Sequence, residues 1–294
     1  MKPTAFEYFT PTTVQEALQL LESQGDEAKI IAGGQSLVAM MNFRAARPEA
    51  LIDINNIKEL DYFREEGDEI VIGALTRERT LEVSPLIKEK CPVLAKAITH
   101  IGHLAIRFRG TVGGTLVHAD PTAEIPVTSL ALDAKMKIVS PSGERVLSAD
   151  EFFVTYLTSA VEENELLVEV RIPTFPSKTT AWSYVDISRR FGDFAIVGVA
   201  TILSMDDAGV CKEARIALGG VAPTPVRAKD AEALLAGQKL TGELIEEAAT
   251  RAAEGDNVDP DSDYHATAEY RKAMAKVLTK RGLTEAWTTF EGSK

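Results

Sequence analysis

The first fifty residues alternate between a helical and a strand-like pattern of apolar positions. A helix is predicted to begin at the Ser/Thr-x-x-Glu capping box of Thr13 and Glu16 and to end at Gly25. Its apolar residues recur at i, i+3, i+4 and i+7, and they are Val14, Ala17, Leu18 and Leu21. Short apolar runs at 30–32 and 51–54 predict two strands. Residues 1–56 are therefore expected to form a small α/β unit.

The next segment mixes strand-like runs with helical patterns. A helix is predicted to begin at Pro85, where proline fits the first helical position, and to keep its apolar face as far as Ile101. Ser148 and Glu151 form a second capping box before a short helix. Strands are predicted at 70–73, 135–139, 145–147 and 166–172. Residues 57–175 are expected to form a second, larger α+β unit.

A proline-rich stretch at 173–177 is the best linker candidate, and the pattern changes after it. Strand-like runs come first, at 182–187, 195–203 and 214–218. Helical segments rich in Ala, Glu and Leu follow, at 231–235, 244–253 and 266–278. Strands followed by helices indicate an α+β domain over residues 176–294. The whole chain is expected to be α+β.

Composition and charge exclude several classes of protein. The chain has 294 residues and a formal net charge of −12, which disfavours nucleic acid and anionic lipid as partners. Its apolar runs end well short of the ~20 residues that a membrane span requires. The N-terminus has no apolar signal core, and Cys91 and Cys211 are too few and too far apart for a disulfide framework or an iron–sulfur cluster. A cytoplasmic location is expected.

Two glycine pairs, Gly33-Gly34 and Gly113-Gly114, are the most informative feature for function. Each follows an apolar run and precedes hydroxyl or amide side chains, so that backbone N–H groups can converge on an anion such as a phosphate. Arg107 and Arg109 are cations close to the second pair. Ordinary tight turns explain the same pairs equally well, so the pattern alone leaves both interpretations open.

No other pattern identifies a catalytic or metal-binding residue. Neither the G-x-G-x-x-G fingerprint nor the P-loop motif occurs, and Ser36 does not lie in a G-x-S-x-G elbow. His100 and His103 are three residues apart at the end of the predicted helix, but they lack cysteine or carboxylate ligands nearby. Solvation of the helix end is therefore favoured over a shared metal.

Taken together, longer motifs around the glycine pairs resemble one known family. The segment Ala32-Gly33-Gly34-Gln35-Ser36-Leu37 resembles the AGG[HQ]SL loop of the FAD-binding subunit of molybdenum hydroxylases. The segment at 106–115, IRFRGTVGGT, resembles that family's IR-x-x-GT-[IV]-GG-[NS] motif. Further matches lie at 119–121, 190–195 and 270–272, and the similarity runs in order from residue 3 to about residue 281. The chain therefore resembles the medium subunit of the carbon monoxide dehydrogenase and xanthine dehydrogenase family.

The resemblance implies a two-part PCMH-type FAD-binding fold, followed by the C-terminal domain of a carbon monoxide dehydrogenase flavoprotein. The backbone amides expected to wrap the FAD diphosphate are those of Ala32, Gly33, Gly34, Gln35, Ser36, Leu37, Thr111, Gly113, Gly114 and Thr115. Asp120 and Glu124 would bind hydroxyl groups of the ribityl or ribose. Ile101, Leu166 and Leu167 would line the ring system, and Phe194 would screen one flavin face.

Three residues depart from the family pattern. Thr115 replaces the more usual Asn or Ser, and Glu124 replaces a common Asp. Asp186 stands where many relatives carry a lysine close to the flavin, and a carboxylate pointing inward there would disfavour an anionic reduced flavin.

By the same resemblance, the chain is expected to be an electron-transfer subunit. It would pass electrons through FAD from an iron–sulfur subunit, fed by a molybdopterin-binding subunit, to an external acceptor. A heterotrimer is expected, doubled by two-fold symmetry. Two alternatives stay open: a self-contained PCMH-type flavin oxidoreductase, and a non-catalytic binding module that retains the fold.

Overall fold

The described residues fold into three successive larger sheets, each covered by helices, and a two-stranded sheet of β8 (Phe153–Thr155) and β9 (Thr158–Ser159). In this computed structural model, residues 1–175 and 178–292 are described. The first sheet has the order β1-β3-β2 and is parallel. Its elements are strands β1 (Glu7–Phe9), β2 (Ala28–Ile31) and β3 (Ala50–Asp53), and helices α1 (Val14–Gln24) and α2 (Leu37–Asn42). The predicted α/β character of this unit is confirmed, although β1 was not predicted.

The capping at the start of α1 differs from the predicted box by one residue. The Thr13 hydroxyl accepts a hydrogen bond from the Glu16 N–H at 3.2 Å, as expected. The Glu16 carboxylate, however, accepts from the N–H of Thr12 at 2.7 Å instead of from Thr13. Gly25 ends the helix at a φ of 66°, as predicted.

The second unit is built on an antiparallel sheet of order β4-β5-β10-β6-β7. Its strands are β4 (Phe63–Glu66), β5 (Glu69–Gly73), β6 (Lys135–Ser140), β7 (Gly143–Ser148), β8 (Phe153–Thr155), β9 (Thr158–Ser159) and β10 (Leu166–Pro173). Its helices are α3 (Glu78–Val83), α4 (Pro85–Lys90), α5 (Pro92–Ile98), α6 (Leu104–Arg107), α7 (Val112–His118), α8 (Glu124–Ala131) and α9 (Ala149–Phe152). The capping box of Ser148 and Glu151 is confirmed at α9.

The single helix predicted from Pro85 to Ile101 is wrong. Cys91 leaves the helical region, with a φ of −143° and a ψ of 57°, so that α4 ends and α5 begins at Pro92. The residue before a proline is sterically disfavoured in the α conformation, which explains the break. Ile101 lies beyond α5, buried in the core of the second unit.

The third unit is an antiparallel sheet with helices on one face. Its strands are β11 (Thr180–Ile187), β12 (Val197–Met205), β13 (Val210–Gly219), β14 (Val226–Arg227) and β15 (Gln238–Lys239), and its helices are α10 (Lys229–Leu235), α11 (Gly242–Glu254) and α12 (Ala268–Gly292). The Ser183 hydroxyl donates to the Gly282 carbonyl at 2.9 Å, which seats α12 on the sheet. The expected α+β class, with strands before helices in this unit, is confirmed.

The second and third units share one hydrophobic core. Tyr184, Ala200, Ile202 and Ala217 of the third sheet belong to the same buried cluster as α5 and α8. Both faces of this sheet are therefore covered, which explains the nearly continuous burial along β12. Among the described residues, no helix is long and apolar enough to cross a membrane. The boundaries at 56/57 and 175/176 stay predictions, and Pro176 and Ser177 of the linker candidate lie outside the described residues.

Candidate functional site

The first glycine motif forms the loop between β2 and α2. Gly34 has a φ of 71°, a left-handed conformation that glycine adopts without strain. The Gln35 side chain turns back and donates to the Gly33 carbonyl at 2.8 Å. Among the described residues, the five backbone N–H groups of residues 33–37 donate to no protein atom. The first backbone hydrogen bond of the turn is the one that the Val38 N–H donates to the Gly34 carbonyl. The loop therefore presents a run of five N–H donors to a ligand.

The second glycine motif leads into α7, and its donors are largely engaged. Thr111 caps this helix, because its hydroxyl accepts from the Gly114 N–H at 3.1 Å and its carbonyl accepts from the Thr115 N–H at 3.0 Å. The Gly113 N–H donates to the Ala74 carbonyl at 2.9 Å. These bonds build the second turn itself, and the expected contact of Thr111, Gly113, Gly114 and Thr115 with a diphosphate stays a prediction.

The structure brings the two glycine motifs into direct contact. A Cβ placed on Gly33 would lie 2.3 Å from the Arg109 carbonyl oxygen, so no larger residue fits against the second motif. A Cβ on Gly114 would lie 4.0 Å from the Cβ of Ala32. The motifs are about eighty residues apart in the chain, and their contact makes one continuous backbone surface.

A buried carboxylate, which the sequence did not reveal, supports the second motif from behind. Glu78, at the start of α3, is 1% exposed and accepts the Thr115 hydroxyl at 2.7 Å. Its Oε2 atom has no hydrogen-bond partner among the described residues, and a Cβ on Gly110 would meet it at 2.3 Å. Burial raises the pKa of Glu78 to about 7, although the Thr115 hydrogen bond and the Arg107 charge oppose the rise.

Further carboxylates converge beside Glu78. Glu124 is buried at the start of α8, and burial together with the charges of Asp186, Glu78 and Asp120 raises its pKa to about 8. The Asp120 carboxylate accepts from the N–H and the hydroxyl of Thr122, at 2.9 and 2.7 Å. These groups can bind hydroxyls of a ligand, because a carboxylate accepts hydrogen bonds and a protonated carboxyl also donates one.

Asp186 points inward, where it meets a histidine. Its Oδ1 lies 3.1 Å from Nδ1 of His100, and both side chains are largely buried. The His100 ring also packs edge-on against Tyr184, whose buried hydroxyl has no partner among the described residues. The position where the family resemblance leads one to expect a lysine thus holds an acid–imidazole pair. His103 does not share a helix with His100, and no group of three metal-ligating side chains occurs among the described residues.

The apolar residues expected around a ring are distributed over different surfaces. Leu166 packs into the core of the first unit, whereas Leu167 packs into the core of the second, because successive residues of β10 face opposite sides. The two side chains therefore face opposite sides of β10, and their expected place around a ring stays a prediction. Phe194 is 67% exposed on the segment between β11 and β12. That segment reaches the second unit at Gly192, whose added Cβ would lie 2.6 Å from His103.

Only one of the two arginines near the second motif is free to meet an anion. Arg107 is buried, bonds Glu82 at 2.9 Å and donates to the Ile101 carbonyl at 2.7 Å. It therefore holds the turn before α6 together instead of acting as a local cation. Arg109 is exposed at the contact between the motifs. A second cation there, Arg77, was missed because it lies thirty residues away, in the turn after β5.

Comparison with known proteins finds two matched regions, and both glycine motifs lie in the first. Residues 4–175 match the family described as the FAD binding domain in molybdopterin dehydrogenase, and residues 182–286 match the CO dehydrogenase flavoprotein C-terminal domain. The 6-hydroxypseudooxynicotine dehydrogenase complex subunit alpha of Paenarthrobacter nicotinovorans is 42% identical, with 97% of this chain and 96% of that protein covered.

The carbon monoxide dehydrogenase medium chain of Hydrogenophaga pseudoflava is also 42% identical, and the match covers 98% of this chain and 99% of that one. A solved structure of carbon monoxide dehydrogenase from that organism, which lacks the Mo-pyranopterin moiety of the molybdenum cofactor, superimposes with a TM-score of 0.94. That superposition covers 98% of this chain and 99% of the matched chain.

Proposed function

Because this chain belongs to the FAD-binding medium subunits of the molybdenum hydroxylase family, we propose that it is the electron-transfer subunit of a heteromeric molybdenum hydroxylase. In this role it receives electrons from an iron–sulfur subunit and passes them to an external acceptor. The observation that carries the proposal is the contact of Gly33 with Arg109, which joins the two glycine motifs into one backbone surface.

The residues of this surface fit FAD by their chemistry. The N–H groups of the first loop suit a diphosphate, which needs several donors and is favoured by the nearby charge of Arg109. Asp120 and Glu124 suit the hydroxyl groups of the ribityl or ribose. When bound, FAD supplies the chemistry of accepting single electrons and releasing a pair.

The chain's own residues would orient the cofactor and limit its contact with water. Ile101 and one of the two leucines at 166 and 167 would supply apolar walls for the ring. Phe194 would cover one face of the ring from the third unit. The inward Asp186 carboxylate would oppose a negative charge on the reduced ring, and its contact with His100 moderates that effect when the imidazole is protonated.

The C-terminal match supports this function over a self-contained flavin oxidoreductase. An oxidoreductase of that kind needs a substrate domain with its own acid–base residues, whereas residues 182–286 match the flavoprotein domain of a carbon monoxide dehydrogenase. The crowding at Gly33 and Gly113 is weaker evidence against the second alternative, a non-binding module, because close packing alone also requires glycine at these positions. Whether the purified chain retains FAD decides between the electron-transfer subunit and the non-binding module.

The assembly that we propose is a heterotrimer with an iron–sulfur and a molybdopterin-binding subunit, doubled by two-fold symmetry. Relatives are named as a complex subunit and as a medium chain. A docking surface is supported by four exposed apolar side chains, on the segments that meet at Gly192 and His103: Leu104, Phe108, Phe191 and Phe194. A permanent interface there would bury more than ~1,000 Å². A cytoplasmic location belongs to the same proposal, supported by two buried free cysteines.

Flavin analysis of a matched pair of glycine variants tests the proposal. In Gly114→Ala, the new Cβ lies 2.8 Å from the Thr111 hydroxyl, whereas in Gly242→Ala it meets nothing within 4 Å. We expect the first variant to weaken FAD binding about tenfold and the second to bind as the wild type does. Wild-type chain that is folded but cannot be loaded with FAD would overturn the proposal. So would a complex with both partner subunits that reduces no acceptor through its flavin.

A further inference from the structure

The carbonyl groups of the two glycine motifs need partners on the side away from a ligand. When successive N–H groups of a loop converge on an anion, neighbouring carbonyls point elsewhere and must accept hydrogen bonds there. The carbonyls that directly precede Gly33 and Gly110 belong to Ala32 and Arg109. Each is held by a side chain: the Asn55 Nδ2 donates to Ala32 at 2.8 Å, and the Arg77 Nη1 donates to Arg109 at 2.7 Å.

These two side chains also bind each other. The Arg77 Nη2 donates to the Asn55 Oδ1 at 2.6 Å, so one continuous hydrogen-bonded path runs from the first glycine motif to the second. Both ends of the path are fixed by their own backbones. The Asn55 N–H donates to the Asp53 carboxylate at 2.9 Å, and the backbone of Arg77 forms an isolated antiparallel bridge with Thr111.

The charge of Arg77 is not neutralised by a direct partner. Within the described parts of the chain, no carboxylate lies within ion-pair distance of its guanidinium, which donates only to neutral oxygens. Burial is the largest effect on the pKa of Arg77 and lowers it, and the charge of Arg109 lowers it further. The charges of Asp61 and Asp53 raise the pKa and oppose this shift. A guanidinium stays charged under such conditions, so a positive charge is fixed directly behind the contact between the motifs.

From this arrangement we infer that Asn55 and Arg77 form a brace that positions the two glycine motifs for a diphosphate ligand. This inference rests on the proposed function, because the diphosphate is that of FAD. The brace fixes the orientation of the Ala32 and Arg109 carbonyls by hydrogen bonds, so the N–H groups of the first loop are already ordered before the ligand binds. Because the loop is already ordered, binding does not cost the conformational entropy of ordering it. The fixed positive charge also attracts the anion.

A double-mutant cycle on the full-length chain, freed of flavin, tests the brace. Arg77→Lys keeps the charge and loses the forked contact, and Asn55→Ala removes the link to Ala32. We expect each variant to raise the Kd for FAD about tenfold. The double variant should be only slightly weaker than either single one, because both substitutions break the same path. Independent effects would multiply to about a hundredfold.

Comparison of ligands separates positioning from general damage. Adenosine diphosphate carries the diphosphate without the flavin ring, whereas riboflavin carries the ring without the diphosphate. The brace requires that the Kd for adenosine diphosphate rise as that for FAD does, and that riboflavin binding stay unchanged. Arg64→Lys is the matched control, because Arg64 pairs with Glu66 on the exposed strand β4.

The outcomes distinguish the brace from the function on which it rests. If the wild type binds FAD, but folded Arg77→Lys and Asn55→Ala bind it equally well, the brace is wrong and the proposed function stands. Additive effects, or equal losses for riboflavin, also overturn the brace. If Asn55→Ala does not fold, Asn55→Ser takes its place in the cycle, and the ligand comparison on Arg77→Lys decides by itself. A wild type that binds neither FAD nor adenosine diphosphate overturns the proposed function.

Discussion

Replacing Glu78 by glutamine should change how the stability of this protein depends on pH. The carboxyl of Glu78 is 1% exposed, and among the described residues only its Oε1 has a hydrogen-bond donor, the Thr115 hydroxyl at 2.7 Å. Glutamine has nearly the same shape, and its amide oxygen can accept the same bond. The substitution therefore removes the ionisation of this side chain and leaves its packing in place.

The magnitude follows from the pKa of Glu78 in the folded chain, which burial raises from 4.5 to about 7. Between these two values the folded state holds a proton that the unfolded state has released. Stability contributed by this group is therefore full below pH 4.5 and declines until about pH 7. At ~1.4 kcal/mol per pKa unit, the decline amounts to roughly 3 kcal/mol in the free energy of unfolding. Glu78→Gln should lack this decline and be more stable than the wild type at pH 8.

Urea unfolding at a series of pH values from 5 to 8 measures the effect. The difference in unfolding free energy between Glu78→Gln and the wild type should grow from pH 5 to about pH 7 and level off by pH 8. Glu285→Gln, an exposed position on α12, controls for the loss of one negative charge. A difference that stays constant from pH 5 to pH 8 would refute the reasoning, because it would mean that Glu78 titrates alike in both states.

Three further substitutions have expected outcomes. Gly33→Ala places a Cβ 2.3 Å from the Arg109 carbonyl, so the chain should lose both stability and FAD, measured by thermal unfolding and flavin absorbance. Glu124→Gln should flatten the pH dependence of stability between about pH 4.5 and pH 8, because the folded pKa of Glu124 is raised to about 8, and the same urea titration measures this. Arg271→Lys gives up bonds to the Ile196 and Gly220 carbonyls at 2.5 and 3.1 Å, which should cost about 1–3 kcal/mol and speed proteolysis next to Phe194.

Local signals in the sequence predicted most of the fold correctly, and they failed where a single residue redirects the chain. The Ser148–Glu151 cap, the adjacent strands β6 and β7 and the succession of strands before helices in the third unit depend on neighbouring residues, so short-range patterns are enough to predict them. The strand β1 has three residues and exists because it pairs with β3, more than forty positions later. The end of α4 at Cys91 was predictable in principle from Pro92, but the apolar periodicity continued across it and masked the break.

The candidate site shows the same limit more sharply. The glycine motifs were recognisable because the backbone conformation that they need restricts the residues at those positions. Asn55, Arg77 and Glu78 have no such signature, since an isolated polar residue is compatible with almost any exposed position. Arg77 and Glu78 acquire their places only when β5 turns into α3 beneath the second motif, which sets the Arg77 guanidinium against Arg109 and the Glu78 carboxylate against Gly110. Asn55 acquires its place in the turn that follows β3, where its side chain reaches the Ala32 carbonyl.

The misassigned role of Arg107 follows from the same physics. Two arginines beside a loop that could bind phosphate look equivalent in the sequence. A buried guanidinium, however, must satisfy its hydrogen-bond donors within the protein. The Arg107 Nε donates to Glu82 and its Nη1 donates to the Ile101 carbonyl, so neither nitrogen is available to a ligand. The positive charge at the contact between the motifs therefore has to come from arginines that form no ion pair within the described parts of the chain, which are Arg77 and the exposed Arg109. In an acidic protein, the distribution of ion pairs decides which cations remain for an anionic ligand, and that distribution is a property of the folded chain.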